Sequence, residues 1–247
     1  MCVSIEYRWL RRCAPVCART LLSLLFLALG GCTFDNPLAP SSLEPPADIS
    51  MSPDWWTFRF SPGVPLHPAS GDGGWYFDFP VYDVVPTTAC RATDCPSVHY
   101  LTTPTTRDLT GTMLTMAVLI DVTGNPTFQA ALSPDNVCVN PARVRLFLER
   151  ANEPTSETVE FYRWWSDASL ILAPGAGGLS VRITPEHWSS VFGTKGNASP
   201  EAMAGFEATL ADLATVGMTF GGGCFAGHGV NISRGAARFT VTSFLAQ

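Results

Sequence analysis

The sequence predicts an all-β fold, an antiparallel jelly-roll β-sandwich with one short helix. Three observations lead there. Short runs rich in β-branched and aromatic residues recur along the chain, bounded by Gly, Pro, Asn and Asp, the pattern of strands and their turns. Only one segment carries helical start signals. From Asp54 to Gln247 no shift in composition marks a second domain, and that length is ample for one sizeable core.

In chain order the strand candidates begin with "WWTFRF", "GWYFDF" and "SVHYLTT". "GTMLTMAVLIDV" follows, and its "MLTMAVLI" is apolar on both faces, which predicts a central strand covered on both sides. "TFQAAL", "RVRLFLER", "EFYRWWS" and "ASLIL" come next. In "LSVRIT" the alternation is clean: Leu179, Val181 and Ile183 point inward while Ser180, Arg182 and Thr184 face water. The helix opens with Ser199 as N-cap and Pro200 at the first helical position. It runs to about Leu213, with Met203, Phe206, Leu210 and Leu213 on one stripe, and is expected to lie against the sandwich or close one end of it. "VGMTF" and "ARFTVTSFL" complete the series.

The N-terminus reads differently. "RWLRRCAPVCARTLLSLLFLALGGC" passes from a basic segment to an apolar one and then to small residues, which is an export signal. Leu21 to Leu29 is shorter than the roughly 20 apolar residues of a permanent span. Its ending "LGGC" resembles the lipobox of bacterial lipoproteins, in which Cys32 would be lipidated and become the mature N-terminus. Thr33 stands where an aspartate would retain a lipoprotein at the inner membrane, so the resemblance implies an outer-membrane location, periplasmic or surface-exposed. Three segments result: a signal over 1–31, a lipid anchor and Pro/Ser/Ala-rich tether over 32–53, and a folded domain over 54–247.

Residues 1–31 hold four of the 15 basic and one of the 21 acidic residues, which leaves the exported part at −9. Lys195 is the single lysine and no basic run exists, so nucleic acid is excluded as a partner class. Cys90, Cys95, Cys138 and Cys224 remain for the domain, an even number suited to disulfides in an oxidising compartment. Three pairings are open; the short loop "CRATDC" favours Cys90 with Cys95 and Cys138 with Cys224.

The glycine-rich stretch Met218–Ser233 leads from strand to strand, whereas a phosphate-binding loop needs a helix directly after it. Cys224 and His228 are four residues apart, yet a nucleophilic thiol must stay reduced, and an exported cysteine with partners is more often bonded. The glycines therefore read as bends near a sheet edge, with His228 at the border of a site or satisfied within the turn. "EHWSSVFG", "GFEATLADLATVGMTFGGGCFAGHGV" and "GAARFTVTSFLAQ" resemble the C-terminal half of laminin-B-type domains of the galactose-binding-like jelly-roll group. The resemblance implies a jelly roll with an extracellular binding or adhesive role and carries no catalytic residues.

Tryptophan supplies the candidate site. Trp55 with Trp56, and Trp164 with Trp165, are strand neighbours, so one of each pair belongs in the core. "RVRLFLER" and "EFYRWWS" are expected to form a hairpin, with Val144, Leu146, Leu148, Tyr162 and Trp164 inward and Phe161 on the side of Arg163 and Trp165. Arg145, Phe147, Arg163 and Trp165 then share the other face as a flat aromatic platform with hydrogen-bonding arginines, suited to sugar rings. The competing readings are that the helix or the N-terminal "DWWTFRF" segment covers that face and makes its aromatics core, or that the face is a protein contact. No G-x-S-x-G elbow, zinc-protease helix or singled-out acid/base pair is present, no catalytic residue is assigned, and no cofactor is implied. Structural calcium is common in modules of the resembled kind, but no DxDxDG loop marks it here. The combined expectation is an envelope-anchored lipoprotein whose domain binds carbohydrate without transforming it. The alternatives are a structural or adhesive lipoprotein contacting another envelope protein and, third, a polysaccharide hydrolase or lyase.

Overall fold

A computed structural model of the chain describes residues 49–61, 63–70, 74–85, 96–131, 141–152, 159–223 and 226–247. The signal, Cys32, and all four domain cysteines, Cys90, Cys95, Cys138 and Cys224, lie outside the described residues.

The elements run β1 (Thr57–Arg59), β2 (His67–Pro68), β3 (Trp75–Asp78), β4 (Tyr100–Pro104), β5 (Met113–Thr123), β6 (Phe128–Ala130), β7 (Arg143–Arg150) and β8 (Arg163–Ser166). After these come β9 (Leu170–Ile171), β10 (Gly175–Arg182), β11 (Trp188–Ser190), α1 (Pro200–Ala211), β12 (Leu213–Gly221), β13 (Val230–Ile232) and β14 (Ala236–Ala246). One sheet has the order β1-β4-β12-β7-β8-β11, with β9 on β7; the other has the order β10-β5-β14-β3-β2. All the strand pairs are antiparallel, and β6 with β13 forms a small third sheet. The chain passes repeatedly between the two large sheets, as β3, β4, β5 and β7 do in succession, so pairs such as β5–β14 are distant in sequence. This is the expected antiparallel jelly-roll sandwich, with one α-helix among the described residues. Sequence reading passed over three strands, β2, β11 and β13, because runs of two or three residues are too short to show a period.

The core lies between the two large sheets. Phe220 of the seven-stranded sheet meets Phe77 and Phe239 of the five-stranded one with ring centroids 5.7 and 5.4 Å apart, edge to face. Trp56 and Trp164 are the core members of their pairs, as expected. The Trp56 indole packs on Trp75 at 4.7 Å and donates to the Ser50 carbonyl at 2.8 Å. Ile49 and Met51 already pack against the core, ahead of the expected domain start at Asp54. The tether composition conceals two apolar side chains whose spacing brings both to the same surface.

Two local expectations are corrected. The β5 strand is not covered on both sides: Leu114, Met116, Val118 and Ile120 are buried, while Leu119 on the other face is 38% exposed. The apolar residues of its outer face are mostly small or sit beside Thr115 and Asp121, a mixture water tolerates. In α1, Ser199 caps as expected, accepting from the Ala202 amide at 3.1 Å. The buried stripe is Ala202, Phe206, Thr209 and Leu210, whereas Met203 is exposed and Leu213 belongs to β12. The helix turns that side onto Trp164, whose indole donates to Thr209 Oγ1 at 3.1 Å and meets the Phe206 ring at 5.1 Å. A buried hydroxyl is acceptable there because the indole N–H and the Phe161 carbonyl satisfy it.

Candidate functional site

The β7–β8 hairpin forms as expected, with Phe147 opposite Trp165 and Glu149 opposite Arg163. Val144, Leu146, Leu148 and Trp164 face the core, so Arg145, Phe147, Arg163 and Trp165 do share the outer face of the seven-stranded sheet. Phe161 and Tyr162 do not follow the strand alternation, because Glu160–Tyr162 is a 3-10 turn ahead of β8: Phe161 packs on Trp164 and the core, and the half-buried Tyr162 ring lies 4.9 Å from the Arg150 guanidinium. That face is not a flat platform. Phe147 is 0% exposed and Trp165 7%, because Tyr100, Val191 and Ala226 pack over them. The three aromatics form a ladder across the sheet, Tyr100 to Phe147 at 5.2 Å and Phe147 to Trp165 at 5.3 Å. Phe147 is the buried middle rung and touches no open space. Arg145, Arg163 and Trp165 instead line a pocket of about 760 Å³, together with Tyr100, Asp167, Ser189, Phe192 and His228.

One wall is the glycine-rich loop after β12. Arg145 holds it: Nη1 donates to the Ser166 and Asp167 carbonyls, both at 2.7 Å, and Nη2 donates to the Gly223 carbonyl at 2.6 Å. Burial and the nearby Arg143 charge lower the Arg145 pKa, opposed by Asp167. Farther along, Gly227 sits at φ +75°, and a Cβ there would lie 2.2 Å from Tyr100 Oη. Gly229, at φ +103°, leaves equally little room beside Ser97 and His99. Both positions demand glycine through backbone angle and close approach together. The glycines therefore build a turn, as expected, and the turn is a wall of the pocket.

His99 secures the same wall. Its Nδ1–H donates to the Gly227 carbonyl at 3.1 Å and its Nε2 accepts from the Ser97 hydroxyl at 2.7 Å, which defines the neutral tautomer. Burial lowers its pKa, against the pull of the Gly227 carbonyl. His228 keeps an exposed edge at the pocket rim. Desolvation first, then the charges of His99 and Arg163, push its pKa down to about 4, so it is neutral at neutral pH.

The opposite wall is the turn after β11. Ser190 N–H donates to the Thr194 carbonyl at 2.8 Å, and the Ser190 hydroxyl donates to Glu160 at 2.9 Å, with Thr194 on the same carboxylate oxygen. Asp167 accepts from the Ser189 hydroxyl at 2.6 Å on one oxygen and from Lys195 on the other. These bonds hold Phe192 at the rim, 65% exposed. On the pocket floor, burial pushes the Tyr100 hydroxyl up to about 12 despite the opposing charges of Arg163 and Arg59. It stays protonated and bonded to Arg163.

Sequence reasoning missed Tyr100, Asp167, Ser189 and Phe192. Only Phe192 left a signal, a large aromatic beside Gly193 in a polar turn, where no core face could claim it. Tyr100 and Ser189 were invisible because β4 and β11 reach the site only through sheet pairing, and Asp167, directly after β8, fell between the runs "EFYRWWS" and "ASLIL". Among its described lining residues the pocket offers aromatic surface, guanidinium and hydroxyl donors, and a single carboxylate, Asp167, held by Lys195. Among the described residues no three His, Cys, Asp or Glu side chains converge on a position for a metal ion.

No protein-family model matches the chain, and no curated protein matches it. Among solved structures it is similar to the family 11 carbohydrate-binding module from Clostridium thermocellum, whose structure holds a β-1,3-1,4-mixed-linked tetrasaccharide. Identity is 10%, the TM-score is 0.38, and the match covers 81% of this chain and 96% of that one. At that distance no residue role passes from one to the other.

Proposed function

We propose that this chain is an envelope-anchored lipoprotein whose jelly-roll domain binds carbohydrate without transforming it. One observation carries the binding role: a pocket of about 760 Å³ on the outer sheet face combines Trp165, Tyr100 and Phe192 with the polar tips of Arg163, Asp167 and Ser189. Sugars need this mixture, since their C–H faces stack on rings while their hydroxyls exchange hydrogen bonds with fixed polar groups. Phe192, 65% exposed, is the surface on which a ring would stack, whereas Trp165 is buried. The anchor rests on the "LGGC" signal and Cys32.

The test is a glycan array probed with the exported chain carrying Cys32→Ser, beside a Phe192→Ala variant. Phe192 is exposed, so that variant is expected to fold normally. Saturable binding that falls at least tenfold in the variant supports the reading. No binding across a broad array would transfer the pocket to an envelope-protein partner. Incorporation of labelled palmitate at Cys32, absent in Cys32→Ser, tests the anchor.

A further inference from the structure

We propose that the site takes the interior of a polysaccharide chain rather than a single terminal sugar, with Phe60 as a second stacking surface; this rests on the carbohydrate reading above and narrows it. Exposure is the first observation. Among the described residues only two Phe, Tyr or Trp side chains are exposed, Phe192 at 65% and Phe60 at 61%. Both border the same site. Phe192 stands on the pocket rim, and the Phe60 ring packs edge to face against Tyr100, a lining residue, at 5.9 Å. The described lining reaches from Tyr100 on β4 to Ser189 and Ser190 on β11. It stops one strand short of β1, and Phe60 follows β1 directly. β1 and β11 are the two edges of the seven-stranded sheet, about 24 Å apart at roughly 4.8 Å per strand step. A single pyranose reaches one of these phenylalanines; a chain laid across the strands reaches both.

The backbone at Phe60 is an independent sign. Its φ is +58°, in the left-handed region, where the other described non-glycine residues are Asn125 and Asn152. Asparagine tolerates that region far better than a bulky aromatic residue does. The strained angle is enforced from both sides. Arg59 pairs with Tyr100 in the β1–β4 ladder, and the Ser61 hydroxyl accepts from the His99 N–H at 2.8 Å while donating to the Arg59 carbonyl at 3.2 Å. Held so, the ring turns out to solvent, 5.7 Å from the Arg59 guanidinium carbon, instead of packing on the core as Phe58 does. A glycine would make this bend without strain, so a phenylalanine there points to a use for its ring. Packing on Tyr100 occupies part of the ring and leaves most of it open, where the C–H face of a sugar fits.

The experiment is calorimetric titration of the exported chain carrying Cys32→Ser with cello-, laminari-, xylo-, manno- and galacturono-oligosaccharides of two, four and six units. In at least one series the hexasaccharide is expected to bind ten or more times tighter than the disaccharide. Phe60→Ala should bring that ratio below threefold, and Phe60→Tyr should restore it. Phe60→Gly relaxes the positive φ and so cannot fail through backbone strain; it should lower the ratio as far as Phe60→Ala does. Equal affinity for two and six units in the unmodified protein, or a ratio that survives in Phe60→Ala and Phe60→Gly, would overturn the chain proposal and leave the carbohydrate reading standing. Binding confined to array glycans outside these series would do the same. Absence of binding in every series and across the array would overturn both, and assign the two exposed rings to a protein contact.

Discussion

The two large sheets of this sandwich present outer faces of the same sequence type and opposite fate. Each alternates apolar and polar residues with period two. On the five-stranded sheet the outer groups meet water and one another. Arg238 of β14 donates to both Asp78 oxygens at 2.8 and 3.0 Å and lies 3.9 Å over the Tyr76 ring. Thr115 donates to Ser180 at 3.0 Å. On the seven-stranded sheet, Phe147, Glu149, Thr102 and Thr219 are buried though they too face outward. The difference lies in the connections. The glycine-rich loop and the Ser190–Thr194 turn fold over one sheet and make a pocket, and the other sheet's outer side stays open. Alternation decides which side faces outward, and loops decide whether outward means exposed.

This contrast can be broken by matched substitutions. The largest expected effect is Phe147→Ala, which should destabilise the protein by about 3–5 kcal/mol in denaturant titration, against less than about 1 kcal/mol for Leu119→Ala on the open face. Equal losses would mean that the loop cover does not persist in solution. Glu149→Gln should cost roughly 2–3 kcal/mol, since Arg59 loses its anion where little water reaches the carboxylate. Asp78→Asn at the exposed pair should cost less than about 1 kcal/mol. Gly227→Ala forces a side chain into positive φ beside Tyr100, and about 1–3 kcal/mol should be lost together with glycan binding.

Acid should separate the two faces more gently. The folded protein holds His228 near 4 and lowers His99, while an unfolded histidine takes up its proton near 6.5. Below that value the unfolded chain binds more protons, so stability falls as the pH drops from about 6.5 toward 4. His228→Gln should flatten that part of the melting-temperature profile, and an unchanged slope would place His228 in water rather than against the pocket wall. The smallest change in stability is expected for Phe192→Ala, within about 0.5 kcal/mol, although its glycan affinity should fall at least tenfold.

Much of this was readable beforehand, and the exceptions have a common cause. The β7–β8 hairpin and the shared outer face of its residues follow from alternation on both strands, and Ser199–Pro200 marks the start of α1. Met203 was misplaced because a helical stripe gives a direction only to within a residue, and Trp164 with Phe161 claimed the neighbouring side. The platform of Arg145, Phe147, Arg163 and Trp165 was correctly assigned to one face, but its burial depended on Tyr100 and Ala226, far away in the chain.

By itself the sequence determined the sandwich class, the inward side of most strands, the helix start and the need for bends at the glycines. These are local properties, set by side-chain period and backbone freedom within a few residues. Only the tertiary structure decided that the glycine bends become a pocket wall, that Phe147 is sealed while Phe192 is displayed, and that Arg145 is tied to a loop rather than offered flat to solvent. Those outcomes arise where segments distant in sequence compete for one surface, and the winner depends on the summed contacts of all of them.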